Sequence, residues 1–153
     1  MSTRSFICVE QDDGSYKGVY CHSDGYLTYN GAMLLDHYNS REKASEIIAL
    51  GDLSLLCEKL YPDPERPHSF DYDSRQEDVT VAYGRDRGEK GTEAREITLE
   101  DAKESWCEYM YVFGKDGKWS YYNLCEYAPE LRDVETDLAK EFEKMGIERP
   151  ADA

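Results

Sequence analysis

The sequence predicts a single α+β domain: an antiparallel sheet of about five strands with three to five helices packed chiefly on one face. Three observations predict it. Two separate stretches each read as a β-hairpin, a segment near the C-terminus repeats its apolar residues at helical spacing, and the strand–helix alternation that builds parallel sheets is missing.

The first hairpin pairs residues 5–10 with 16–22 across the turn signal Gln11-Asp12-Asp13-Gly14-Ser15. A second turn, Ser23-Asp24-Gly25, leads into a helix over 30–38, where Met33, Leu34 and His37 or Tyr38 recur at helical spacing. Another helix is expected over 41–50, with Ser40 as its N-cap, Ala44, Ile47 and Ile48 facing inward and Gly51 placed to end it. A short helix over 52–60 would follow. Three prolines and many charges make 61–78 a long surface loop, 79–84 a strand, and the polar, glycine-containing stretch 85–95 the most mobile internal segment. Thr98 caps a short helix whose first turn carries Glu100 and Asp101.

The second hairpin is the clearest of these signals. Residues 108–113 and 119–122 are aromatic-rich β runs joined by Gly114-Lys115-Asp116-Gly117-Lys118. Over 129–145, Leu131, Val134, Leu138, Phe142 and Met145 repeat every three or four residues, which predicts an amphipathic helix ended by Gly146. The domain is thus expected over 1–146, with 147–153 a frayed tail.

Acidic side chains outnumber basic ones 33 to 18, for a net charge of −15, yet thirteen tyrosines and 40% hydrophobic residues give the chain a core. That excludes a disordered acidic tail, which lacks the apolar surface to offset chain entropy. Direct binding to a nucleic-acid backbone is disfavoured, because the densest basic cluster, Arg85 and Arg87, is interrupted by Asp86. No run approaches a membrane span, Met1 to Glu10 is no signal peptide, and the five cysteines (Cys8, Cys21, Cys57, Cys107, Cys125) are odd in number and widely spaced. They read as reduced thiols of a cytoplasmic protein.

Catalytic signatures are weak. Cys21, His22 and Asp24 lie close in sequence, but adjacent residues of a strand point to opposite faces, so Cys21 and His22 cannot pair directly as nucleophile and base. A satisfied turn with packed tyrosines is the preferred reading. His22, His37 and His68 form no metal-ligand pair with each other or with the cysteines, and Gly84, Gly88 and Gly91 do not make a phosphate loop. No catalytic residue, metal or cofactor is expected.

Two binding surfaces remain. An acidic face on the C-terminal helix would comprise Glu130, Asp133, Glu135, Asp137, Glu141 and Glu143, with a second acidic stretch over 93–108. It imitates DNA only if the acids gather on one side. A chain of this mass exposes about 8,000 Å², or one net charge per roughly 500 Å², against a phosphate per roughly 100 Å² on duplex DNA. The alternative is a small-molecule site for a nucleotide signal, built from Arg4, Tyr20, His22, Asp24 and Tyr26 with stacking faces from Tyr111, Trp119 and Tyr121, and with Arg85 and Arg87 as further phosphate ligands.

The strings Thr3-Arg4-Ser5-Phe6-Ile7, Asp13-Gly14-Ser15, Val19-Tyr20-Cys21-His22-Ser23-Asp24-Gly25-Tyr26, Leu34-Leu35-Asp36-His37-Tyr38 and Leu50-Gly51-Asp52-Leu53-Ser54 resemble a group of small bacteriophage and prophage proteins. The likeness covers about residues 3–60 and brings no catalytic residue with it. It implies an accessory phage protein acting in the bacterial cytoplasm. By analogy with other acidic phage proteins, it implies a stoichiometric inhibitor of a host defence system, of the anti-CRISPR or anti-restriction type. Its partner would be a basic or nucleic-acid-binding host complex.

Overall fold

The computed structural model describes residues 3–146, so the expected frayed tail, 147–153, lies outside the described residues. The first hairpin forms as β1 (Ser5–Glu10) and β2 (Tyr16–Cys21), and the second as β6 (Tyr109–Phe113) and β7 (Trp119–Asn123). The two hairpins join through β1 and β6 in parallel, Ser5 beside Tyr109 and Val9 beside Phe113. The sheet is therefore mixed, not antiparallel throughout. With β3 (Leu53–Leu55), β4 (Val81–Ala82) and β8 (Arg132–Asp133), its strand order is β4-β3-β2-β1-β6-β7-β8, and β5 (Arg95–Glu96) pairs β2 off that path, so among the described residues it holds eight strands where about five were expected.

Burial explains the centre of this order. Phe6-Ile7-Cys8-Val9 and Met110-Tyr111-Val112-Phe113 are buried at every position, as strands covered on both faces must be. On one face, Ile7, Val9, Val19, Tyr111, Phe113 and Trp119 pack under α1 (Ala32–His37), α2 (Arg41–Ala49) and α5 (Val134–Lys144). On the other, Phe6, Cys8, Met110 and Val112 pack with Ile97 and with Ala102 of α4 (Leu99–Glu104). Gly18 of β2 faces Cys8, and a Cβ there would come within 2.5 Å of its sulfur, so only glycine lets the central strands approach.

Several local expectations hold. Ser40 accepts from the Lys43 N–H as N-cap of α2, Ala44, Ile47 and Ile48 are buried, and Gly51 leaves the helix at φ +83°. Thr98 and Asp101 form a reciprocal capping box on α4. Other expectations are corrected. The stretch 52–60 carries β3 (Leu53–Leu55) instead of a helix, because Leu53 pairs with Cys21 of β2 and Ala82 of β4 (Val81–Ala82). The strand expected over 79–84 is cut to those two residues of β4. The 85–95 stretch opens in α3 (Tyr83–Arg87), which Gly88 terminates at φ +72°. The helix expected over 30–38 starts only at Ala32, after a single π-helical turn, Leu27–Gly31. Finally, α5 begins five residues late, because Arg132–Asp133 form β8 against β7 and Asp133 then caps the helix.

Candidate functional site

Strand register defines one end of the sheet. Cys21, Ser5, Tyr109 and Asn123 stand in a row across β2, β1, β6 and β7, a span of about 14 Å at ordinary strand spacing. Just beyond that row, Glu108 N–H donates to the Arg4 carbonyl (2.9 Å) and Leu124 N–H to the Glu108 carbonyl (2.8 Å). Because β3 runs parallel to β2, the long connection after it leaves from the same end. The segments 22–26, 104–108 and 124–130 therefore lie at this end, and 56–80 starts and finishes here while its middle packs against Tyr83 and Asp86 beside the sheet edge.

These segments hold Tyr26, Tyr61, Tyr72, Trp106 and Tyr127, the five large aromatics that stand exposed among the described residues. Trp106 is 86% and Tyr127 98% exposed, on chain segments joined by the Leu124–Glu108 backbone bond. Together with Thr3 and Arg4, the same segments carry twelve acids against four bases. Fewer than a third of the residues thus supply −8 of the net −15. Spread over the 8930 Å² surface the whole charge amounts to about one per 600 Å², far sparser than DNA. Concentration at the loop end is what gives it local weight.

The long connection is pinned by side chains. Buried Gln76 donates from Nε2 to the carbonyls of Asp63 (2.9 Å) and Arg66 (3.0 Å), and its Oε1 accepts from Asp63 N–H (2.8 Å). Arg85 on α3 donates to the carbonyls of Leu60 (2.5 Å) and Thr80 (2.6 Å) and to Asp86. Asp86 in turn faces His68 Nε2 at 3.3 Å, while His68 Nδ1 accepts from Gln76 N–H (3.0 Å). Only Nδ1 is hydrogen-bonded: Nε2 is buried beside the Asp86 carboxylate without a hydrogen-bond partner among the described residues. Burial opposes ionisation of Asp86, but bonds from Arg85 and Ala82 N–H outweigh it and hold the carboxyl below its ordinary value.

The expected acidic face is divided by its neighbours. Asp133 is spent capping Thr136 N–H (2.9 Å), and Asp137 accepts from the Tyr121 hydroxyl (2.7 Å). Glu141 is half-buried in a cleft with Tyr26, Tyr109 and Asn123. Glu130, Glu135 and Glu143 are exposed, but Glu130 precedes the helix and Lys140 and Lys144 interrupt the rest. The helix makes no continuous acidic stripe.

The alternative ligand set is also split. Tyr111, Trp119 and Tyr121 are core side chains, not open stacking faces: the Tyr111 hydroxyl donates to the Gly25 carbonyl (2.6 Å) and Trp119 Nε1 to the Tyr38 carbonyl (3.0 Å). Arg85 is committed as above, and Arg87 stacks on Phe70 at 4.8 Å while pairing with Glu89. Of the remaining five, Tyr20 and His22 touch and Arg4 acts on Tyr20, whereas Tyr26 lies on the opposite face of the sheet, in the cleft with Tyr109 and Glu141. The Tyr20 hydroxyl lies 2.7 Å from His22 Nδ1, and Asp24 holds a left-handed φ of +53° beside Gly25. Burial pushes the Tyr20 hydroxyl up to about 12, with the Arg4 charge opposing. Cys21 turns away into the core, bonded by Asn30 and Ser23, and burial pushes its thiol up to about 11.

Compared with known proteins, the chain matches no family model, no curated protein and no solved structure. Among the described residues no three His, Cys, Asp or Glu side chains converge as a metal ion would require, and no helix is long and apolar enough to cross a membrane.

Trp106, Tyr127, Tyr61 and Tyr72 were not singled out by sequence reasoning. Their signal was available: each is a large aromatic in an irregular, charged segment, outside any period that would bury it.

Proposed function

We propose that this protein is a stoichiometric binding protein whose loop end engages a basic surface of a nucleic-acid-binding host complex. The observation that carries this reading is the exposure of Trp106 and Tyr127 among Glu104, Glu108, Glu126 and Glu130. Aromatic anchors of this kind supply most of the energy of a protein interface, while surrounding carboxylates steer a basic partner and select against acidic ones. The resemblance of residues 3–60 to phage proteins supports a phage-encoded inhibitor of a host defence complex as the setting.

The test is capture from bacterial lysate by the full chain, followed by affinity measurement against the captured protein over a salt series. The expected partner is basic or nucleic-acid-binding, its affinity falls with salt, and Trp106→Ala with Tyr127→Ala weakens it at least thirtyfold. A salt-indifferent affinity, or one untouched by the two substitutions, overturns the proposal.

A further inference from the structure

The pinned connection borders an open cleft of about 330 Å³ lined by Leu55, Val79 and Tyr72 among others. Arg75, Glu77 and Asp78 bring opposite charges to its edge. A stretch this long without regular strands is normally either disordered or functional. This one is ordered by the Gln76 and Asp86 networks, so the cleft is preformed.

Its polar groups are incompletely matched. Arg75 lies 5.5 Å from the Tyr72 ring and donates from Nη2 to the Phe70 carbonyl (2.6 Å), but its Nε is buried and has no partner among the described residues. A buried donor without an acceptor costs roughly 1–3 kcal/mol, and the Arg75 side chain also lines the cleft, where a carboxylate can meet its guanidinium. Neither Glu77 nor Asp78 forms an ion pair among the described residues, and Asp78 is held at φ +59°, one of two non-glycine residues with positive φ there. Strained backbone of this kind is retained where the surrounding structure requires it, and such places cluster at binding sites. Cys57, also on the cleft, has its thiol pushed up by burial and stays uncharged.

We propose that this cleft binds a free α-amino acid with an apolar side chain, its carboxylate on Arg75, its ammonium on Asp78 and Glu77, and its side chain on Leu55 and Val79. Size and charge both favour this class. The volume sits at the lower end of small-molecule sites, and a neutral zwitterion, unlike a nucleotide, is not repelled by a chain of net charge −15. The inference is independent of the partner-binding role.

The full chain is titrated calorimetrically with the twenty free L-amino acids, and any ligand found is retested as its N-acetyl and its carboxamide derivative. Saturable binding of one or more apolar amino acids is expected, weakened at least tenfold by either derivative, by Arg75→Gln and by Asp78→Asn, an exchange that keeps a residue tolerant of the left-handed backbone. Arg66→Gln, at an exposed position of the same connection, should leave it unchanged. The proposal is overturned if no amino acid binds saturably, or if a derivative lacking one charge binds as well as its parent. The derivative series needs only the unaltered protein, so it decides even if a variant fails to fold.

Discussion

The two ends of the sheet are built in opposite ways. At one, the turns 11–15 and 114–118 close their hairpins in five residues each, through Gln11 N–H to the Ser15 carbonyl and Gly114 N–H to the Lys118 carbonyl. Lys115 ties them together, its N–H donating to Glu10 and its Nζ to the Asp12 carbonyl. Three acids there face two lysines, and no large aromatic is exposed. At the other end the chain spends a 25-residue connection, 56–80, on a surface held by buried side-chain bonds and studded with exposed aromatics and acids. Ordering so much irregular chain costs entropy that tight turns avoid. That cost is one reason for proposing binding at this end.

Predictions that strain this contrast run from global to local. Trp119→Ala should remove the core beneath both ends and cost about 3–5 kcal/mol, read from urea unfolding; an unchanged midpoint would deny that the tryptophan is the buried one. Gln76→Ala should leave the Asp63 N–H and the Arg66 carbonyl unpaired, the Asp63 carbonyl keeping Arg66 N–H, and cost about 2–3 kcal/mol of local stability. Amide exchange should then accelerate over 61–78 and stay slow in both hairpins, whereas uniform acceleration would mean that the connection is not a separate unit. Trp106→Ala and Tyr127→Ala should shift unfolding by no more than about 0.5 kcal/mol each, because both side chains are already in solvent.

The next effect is set by pH. Asp86 ionises below its ordinary value in the folded protein, so its contribution is present above about pH 4 and is lost as pH falls further, through the folded value. Proteolysis of 61–78 should therefore rise below about pH 4, and Asp86→Asn should remove that pH dependence. A profile identical in the variant would show that other carboxylates govern it. The smallest effect is expected on α5. Charge reversal at Glu135 and Glu143 should change partner affinity less than reversal at Glu104 and Glu126, and the opposite order would return the interface to the helix.

Legibility followed the range of the interactions. The turn end could be read almost residue by residue, since Asp13-Gly14 and Asp116-Gly117 encode their own geometry, and so could the caps Ser40 and Thr98. The helix misplaced over 52–60 shows the limit: Leu53–Leu55 is a strand because β2 and β4 offer it partners, and isolated spacing of leucines does not reveal them. The same holds for α5, where Leu131 belongs to the helical period but Arg132–Asp133 are claimed by β7.

By itself the sequence determined the two hairpins, the capped helices, the acid excess and the aromatic supply, because each depends on neighbours within a few residues. Only the tertiary structure decided how the hairpins join. A parallel contact between β1 and β6, whose paired residues lie 104 positions apart, leaves no local trace beyond the continuous apolar runs of both strands. That one contact brings Arg4, Trp106 and Tyr127 to a common end, and buries Tyr111, Trp119 and Tyr121 at the centre.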